Sequence, residues 1–385
     1  MVNNNDKKVL NVPALRFPEF SGEWKHVHLK EIAEFQKQRI STALLNNNNY
    51  ISTENILQDF EGIQCSSSMP ANVNVIKYQN EDILLSNIRP YLKKVWFADR
   101  KGGCSADVLV LRGNKCDKYF LYYVIASDRF INYVMSGIKG VKMPRGDKNQ
   151  MEEYAFSIPT NMEQKRIAKF ISILDERIRL QNKIIEDLKK LKSAIIDKLY
   201  SSTNGETYSF RQLFEVVNEK NKACAYKNVL SASQELGMIE RSDINIDIKF
   251  EQESISGYKI VRKGDYVVHL RSFQGGFAFS DRTGICSPAY IILRPNDSVV
   301  YSYLSHYFTS KPFIKSLKLV TYGIRDGRSI NVDEWLDMPI LLPPAQEQIR
   351  ILTIVNAIDA KLHNEVKVQF CLSSQKSYLL NTMFI

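Results

Sequence analysis

No run of about eighteen apolar residues, the length a membrane-spanning helix needs, occurs in the 385-residue chain. The opening MVNNNDKKVLNVPALRF also lacks the apolar core of a secretory signal. A soluble, cytoplasmic protein that meets no membrane is therefore expected. Cysteine is sparse: Cys65, Cys104, Cys116, Cys224, Cys286 and Cys371 are scattered and form no CxxC pair. That pattern reads as reduced thiols and excludes a disulfide scaffold. His26, His28, His269, His306 and His363 do not fall at metal-ligand spacing, so no metal site is expected. Neither a GxxxxGK[ST] phosphate loop nor a GxGxxG turn is present; Gly102-Gly103 and Gly275-Gly276 read as turns. The DPPY-like motif with which an amino-methyltransferase holds its target base is missing too. A nuclease carboxylate cluster leaves too weak a spacing signal to exclude. These absences leave no catalytic residue to name and favour binding.

The composition can support sizeable cores: 44% of residues are hydrophobic, with 19 Tyr and 19 Phe. At this length two or more domains are expected. The net charge of +10 points to a polyanionic partner or an anionic surface. Lys and Arg exceed Asp and Glu by eight in residues 1–201 and by two in 202–385, so the first half is the more basic.

Residues 160–200 read as one long helix. Ile171, Leu174, Ile178, Ile185, Leu188, Ile195 and Leu199, with Gln181 and Lys192 filling the gaps, make an unbroken 3,4 heptad seam. The outward positions read as Lys, Glu, Asp, Arg and Asn. Thr160 and Glu163 form a capping-box signature after Pro159. At 1.5 Å per residue such a helix is roughly 60 Å long, the length of a spacer.

Before it, residues 28–38 suit a short helix or strand, and Asn46–Asn49 a loop tip. Strand composition marks 82–86, 94–98, 107–112 and 154–159, with a turn at Arg89-Pro90; 118–137 reads as one helix. After the helix the chain begins again. A shift of 184 residues places Trp24 on Tyr208, Leu29 on Leu213 and Ile32 on Val216. It also places Pro159 on Pro343, Glu163-Gln164 on Glu347-Gln348 and Asp175 on Asp359. Residues 264–294 track 81–112, pairing Arg271 with Arg89 and Cys286 with Cys104. The second long helix keeps the seam at Val355, Ile358, Leu362, Leu372 and Leu379, with Glu365 and Lys376 matching Gln181 and Lys192.

The expected fold is α+β, with two similar α/β domains, a pair of long antiparallel coiled-coil helices and an internal pseudo-twofold repeat. Its parts are a disordered tail (1–12), a first domain (13–159), the central helix (160–200), a second domain (201–343) and a C-terminal helix (344–385).

Candidate contacts to a polyanion are basic residues on loops. Lys139, Lys142, Arg145 and Lys148 share a Gly-broken segment, and Arg325 and Arg328 occupy its repeat. Arg89, Lys93 and Lys94 lie near a strand end, with Arg271 and Gln274 as counterparts; Arg and Gln can pair with guanine and adenine edges. The competing reading of each is a solvated loop charge. Recurrence in both halves favours contact.

These residues carry a family resemblance. VPALRFPEFSGEW (12–24), DILLSNIRPYLKKVW (82–96), GVKMPRG (140–146) and the twin P-x-x-x-EQ-x-x-I…D helices at Pro159–Asp175 and Pro343–Asp359 resemble a type I restriction-modification specificity subunit. The resemblance implies two target-recognition domains, each reading one half of a split double-stranded DNA sequence. It also implies helices that set the spacer and dock two methyltransferase (modification) subunits, with two restriction (translocase-nuclease) subunits beyond. The chain itself would be non-catalytic and hold no cofactor, with S-adenosylmethionine, ATP and Mg²⁺ bound by partners. A fused restriction-methylation enzyme and a coiled-coil scaffold are the rival readings.

Overall fold

Alternate residues of one short strand enter two different cores. Ile83 and Leu85 pack towards helices, while Leu84 between them packs towards a second sheet, as the two-residue period of a strand requires. In the computed structural model, which describes residues 11–65, 68–138, 144–233, 236–241, 252–269, 276–322 and 329–385, this sandwich is built twice. The chain divides into a unit of residues 1–182 with 368–385 and a unit of residues 183–367.

In the first unit Lys25–His28 pairs antiparallel with Ala155–Ile158, closing the globular part on itself. One sheet runs in the order Ala33–Phe35, Val108–Gly113, Ile83–Ser86, Val95–Phe97. A second runs Arg39–Ser41, Asn74–Tyr78, Gly102–Cys104, Tyr50–Ile51. Ile83, Leu85 and Leu111 join Phe120, Phe130 and Ile171 in one core; Leu84, Trp96, Val108 and Val110 join Tyr78 in the other. The second unit repeats this plan. Glu206–Ser209 pairs with Pro339–Leu342, and its sheet runs Phe214–Val217, Ile291–Pro295, Tyr266–Val268, Phe277–Phe279. Tyr266 and Val268 face an aromatic core in which Phe210 stacks on Trp335 at 4.3 Å, and Val267 faces the opposite side.

Each unit contains the same buried ion pair. Asp82, 2% exposed, accepts Arg112 at 2.7 Å, and Asp265, also 2% exposed, accepts Arg294 at 3.0 Å. Each carboxylate also takes a backbone N–H, from Gln79 and Arg262 respectively, so its lone pairs are satisfied where water is absent.

Several expectations are corrected. The repeat is offset by 181 residues at its start, where Lys25–His28 matches Glu206–Ser209, and by 184 at its end, where Ala155–Ile158 matches Pro339–Leu342. Leu29 therefore corresponds to Phe210 and Ile32 to Leu213, three residues away from the uniform 184-residue pairing; Trp24 does not match Tyr208. Residues 28–38 hold both alternatives in succession, a turn of helix at Leu29–Ile32 and a strand at Ala33–Phe35. Residues 118–137 form two helices, Lys118–Ile125 and Asp128–Ser136, because Ser127 accepts the Phe130 N–H and caps the second.

Gly102-Gly103 is no turn but a buried strand. A Cβ on Gly102 would strike the Asn49 carbonyl oxygen, and one on Gly103 would lie 2.6 Å from the Leu45 side chain. The capping box is only half made. The Glu163 N–H reaches the Thr160 hydroxyl at 3.4 Å, but the buried Glu163 carboxylate is held by both arms of Arg16, at 2.7 and 2.8 Å. Of the expected tail, residues 1–10 lie outside the described residues, while the Asn11 carbonyl accepts the Trp24 N–H.

The long helices are Asn161–Ser201 and Ala345–Met383. In the first unit Ile171 and Leu174 of one share a core with Leu379 and Met383 of the other. In the second unit Ile196 and Leu199 share one with Ile351 and Val355. The helices thus run antiparallel within each unit. All twelve apolar seam positions are buried or half-buried. The two seam lysines do not face solvent as spare charges. Lys376 meets Asp175 at 2.6 Å in the first unit, and Lys192 meets Asp359 at 2.5 Å in the second. The two pairs interchange under the 184-residue shift.

Beside the second pair sits His306. Burial, aided by the Lys192 ammonium, lowers its pKa from 6.5, with Asp359 and Asn356 pulling the other way. The unfolded histidine then takes up a proton more readily than the native one. The neutral side chain's contribution is present above pH 6.5 and is lost as pH falls towards the lowered native value. Denaturant unfolding should show the second unit weaker at pH 5.5 than at 7.5, and His306→Leu should reduce that difference. An equal pH response in the variant would assign the effect elsewhere, first to His269, which burial shifts the same way.

Candidate nucleic-acid interface

In the first unit the segment after strand Ile83–Ser86 and the loop before residue 147 are stitched together. The Arg89 N–H donates to the Pro144 carbonyl at 2.8 Å, the Gly146 N–H donates to Asn87 at 3.1 Å, and Ile88 bridges to Arg145. Arg89 and Lys93 flank the turn Pro90–Leu92 and both adopt left-handed backbone, with φ of 49° and 53°. Such geometry costs energy in residues with a Cβ and is often kept where it aims a side chain. It lifts Arg89 and Tyr91 into solvent.

The candidates separate once their partners are visible. Arg89, Lys93 and Arg145 gather on this stitched segment. Lys93 is 2.8 Å from Asp128, and Arg145 is 3.1 Å from Asp107. These are exposed or half-exposed pairs of the kind worth little, and a phosphate could replace either carboxylate. Lys94 is different: its Nζ donates to the Thr53 carbonyl at 2.8 Å in a partly buried position, so it braces the fold. Lys148 begins a short helix and lies over the Phe35 ring at 4.9 Å. Lys139, Lys142, Arg271, Gln274, Arg325 and Arg328 lie outside the described residues. The strands Thr321–Tyr322 and Ser329–Ile330 pair and bring the ends of the last loop together.

The glutamine of the twin motif performs a task the sequence did not disclose. Buried Gln164 donates to the Pro159 carbonyl and accepts the Asp117 N–H at 2.8 Å. Gln348 donates to Pro343 and Ser298 and accepts the Val300 N–H at 2.8 Å. Each ties the start of a long helix to the backbone of its own globular part.

The outward face of the first long helix is not wholly polar, contrary to the sequence reading. Phe170, Ile173, Leu180, Ile184 and Leu191 stand 42–57% exposed. The seven-residue steps from Ile173 to Leu180 and from Ile184 to Leu191 were the available signal for a second apolar stripe. Among the described residues no group of three or more His, Cys, Asp or Glu could hold a metal ion, and no helix is long and apolar enough to cross a membrane. Burial pushes the Cys104 and Cys286 thiols up to about 12, far from a reactive thiolate.

A family model described as the type I restriction modification DNA specificity domain matches twice, at residues 21–190 and 205–369. The chain belongs to this family. With two such domains it is a type I specificity subunit. It is 29% identical over 208 residues to the type I restriction enzyme MjaVIII specificity subunit of Methanocaldococcus jannaschii, a match covering 51% of this chain and 46% of that protein. To the putative MjaX specificity subunit of the same organism it is 23% identical over 310 residues, 72% of this chain and 70% of the relative. The match with MjaVIII therefore spans about half of that relative's length. Among solved structures, a type I specificity subunit from M. genitalium superposes with a TM-score of 0.56 at 15% identity, covering 97% of this chain and 99% of that one. A chain from a structural study of type I complex assembly and conformational transition gives a TM-score of 0.59 at 17% identity, covering 93% and 96%. Both share the fold.

Proposed function

We propose that each unit of this specificity subunit reads one half of a bipartite double-stranded DNA target. The observation that carries the reading is the duplication of one recognition fold. Two equivalent readers on one chain call for two half-sites. The long helices set the spacer between the half-sites. The exposed apolar stripe on the first of them supports docking of methyltransferase subunits, two per chain, with two restriction subunits completing the complex. Methylation, translocation and cleavage, and with them S-adenosylmethionine, ATP and Mg²⁺, belong to those partners; the subunit itself is non-catalytic. The complex works in the cytoplasm, where chromosomal and incoming DNA are met.

Co-expression with a type I methyltransferase subunit, followed by genome-wide mapping of methylated adenine, tests the reading. Methylation should fall in a split sequence with a fixed spacer. Methylation of an uninterrupted sequence would overturn it.

Within the first unit Arg145 is the strongest candidate for base contact, since its side chain is 58% exposed on the stitched segment and pairs with half-exposed Asp107. Arg145→Ala should weaken binding of the complex to its cognate duplex by about 1–3 kcal/mol and affect a scrambled duplex much less. An equal loss on both duplexes would reassign Arg145 to phosphate contact.

A further inference from the structure

The first unit contains a half-open cavity of about 390 Å³ that the reading above does not use. It lies where the chain passes from strand Ala33–Phe35 in one sheet to strand Arg39–Ser41 in the other. The crossing is fixed on both sides, by the Gln36 N–H on the Val110 carbonyl and the Lys77 N–H on the Gln38 carbonyl. Phe35, Ile76 and Leu109 provide its apolar wall, and Lys37, Arg39 and Lys148 its cations; among the described residues no carboxylate lines it. Lys148 sits over the ring of Phe35, which is 8% exposed, so the ammonium covers the aromatic face on the cavity side.

We propose that this cavity binds a nucleotide, its base against Phe35 and the apolar wall and its phosphate among Lys37, Arg39 and Lys148. The volume is in the range of small-ligand pockets, about 300–1,000 Å³. As the Lys148 ammonium swings from the Phe35 ring to the phosphate, the freed ring face accepts any base by stacking, and lysine and arginine together neutralise a phosphate. A flat, anionic ligand satisfies every lining group. A neutral apolar one would leave three cations uncompensated.

Among the described residues, the second unit lacks the groups that make this site. Phe35 pairs with Leu111, and its counterpart, opposite Leu293, is Val216. Lys148 opens the helix Lys148–Glu152, and the matching helix opens with Val332. Ring and ammonium are both missing, so one nucleotide per chain is expected.

Two sources share this chemistry: a free mononucleotide, or a nucleotide swung out of bound duplex. The second source rests on the DNA-reading function; the first does not. The full-length chain would be titrated with 2-aminopurine deoxyriboside 5′-monophosphate, and separately with duplexes carrying one 2-aminopurine, following probe fluorescence. Anisotropy of an end label would report duplex binding itself. A saturable response to the monophosphate at one per chain identifies the free ligand. A response only within duplex identifies the swung-out nucleotide. Either supports the site, provided that Lys37→Glu with Arg39→Glu, both on exposed positions, weakens the response at least about tenfold while circular dichroism is unchanged. Phe35→Leu, a more buried change, should reduce the response without abolishing it. Absence of any response in the native chain, an unaltered response in the double variant, or two nucleotides per chain would overturn the proposal. Because the end label reports separately, loss of the cavity signal with duplex binding intact leaves the half-site reading standing.

Discussion

Arg112→Met is expected to destabilise the first unit by about 3–5 kcal/mol, roughly 10 °C in melting temperature. The reason is desolvation. Asp82 is 2% exposed and accepts Arg112 through two nitrogens, both at 2.7 Å. Without the guanidinium the carboxylate keeps, among the described residues, the Gln79 N–H and must either bear an uncompensated charge or take up a proton. Adding Asp82→Asn should recover much of the loss, since a neutral amide costs less to bury than an unpaired carboxylate. Arg294→Met should produce the same deficit in the second unit, where Asp265 is held identically. Scanning calorimetry of the three variants decides the matter. If Arg112→Met melts within 2 °C of the native chain, about 1 kcal/mol or less, the pair contributes no more than a surface contact.

The largest functional effect should come from exchanging residues 25–158 for the matching segment of another specificity subunit. Adenine-methylation mapping should then show one half-sequence replaced, with the other half and the spacer unchanged. These limits keep both strands of the closing pair Lys25–His28 and Ala155–Ile158 from one donor. The attachment to the long helix also survives, because Gln164 binds the Pro159 carbonyl, which the exchange leaves in place, and the backbone N–H at position 117, which any donor residue other than proline supplies. A change in both half-sequences would show that the units do not read independently. A changed spacer with both halves intact would move the ruler out of the helices and into the globular part.

Much of this was legible in the sequence, and the reasons are local. A long helix writes its seam once per turn, so Ile171 through Leu199 could be picked out without a partner. Strand composition around Ile83 and the turn at Pro90 are equally short-range. The misses all depend on residues far apart in the chain. The buried Glu163 carboxylate belongs to Arg16 across 147 positions, so the capping signature was only half true. The brace that Lys94 makes to the Thr53 carbonyl spans 41 positions, so nothing local announces it. Gly102-Gly103 looked like a turn because nothing local reveals the Asn49 carbonyl pressing on it. Aromatic Trp24 and Tyr208 drew the repeat into a register three residues from the one the strands adopt. Lys192 and Lys376 stood out as polar seam positions, but their aspartates lie on the opposite helix.

The division of the chain into units also fixes an order of manufacture. Residues 183–367 form the second unit without interruption, so a ribosome has delivered every part of it before residue 368 is added. The first unit includes residues 368–385. Leu379, Met383 and Phe384 fill its core, and the Ile385 carbonyl accepts the Ser157 N–H. Although its globular segment emerges first, this unit stays open until residues 368–385 are made, the reverse of the usual N-terminal-first sequence. A premature stop anywhere after residue 367 would therefore strike the half of the protein translated earliest.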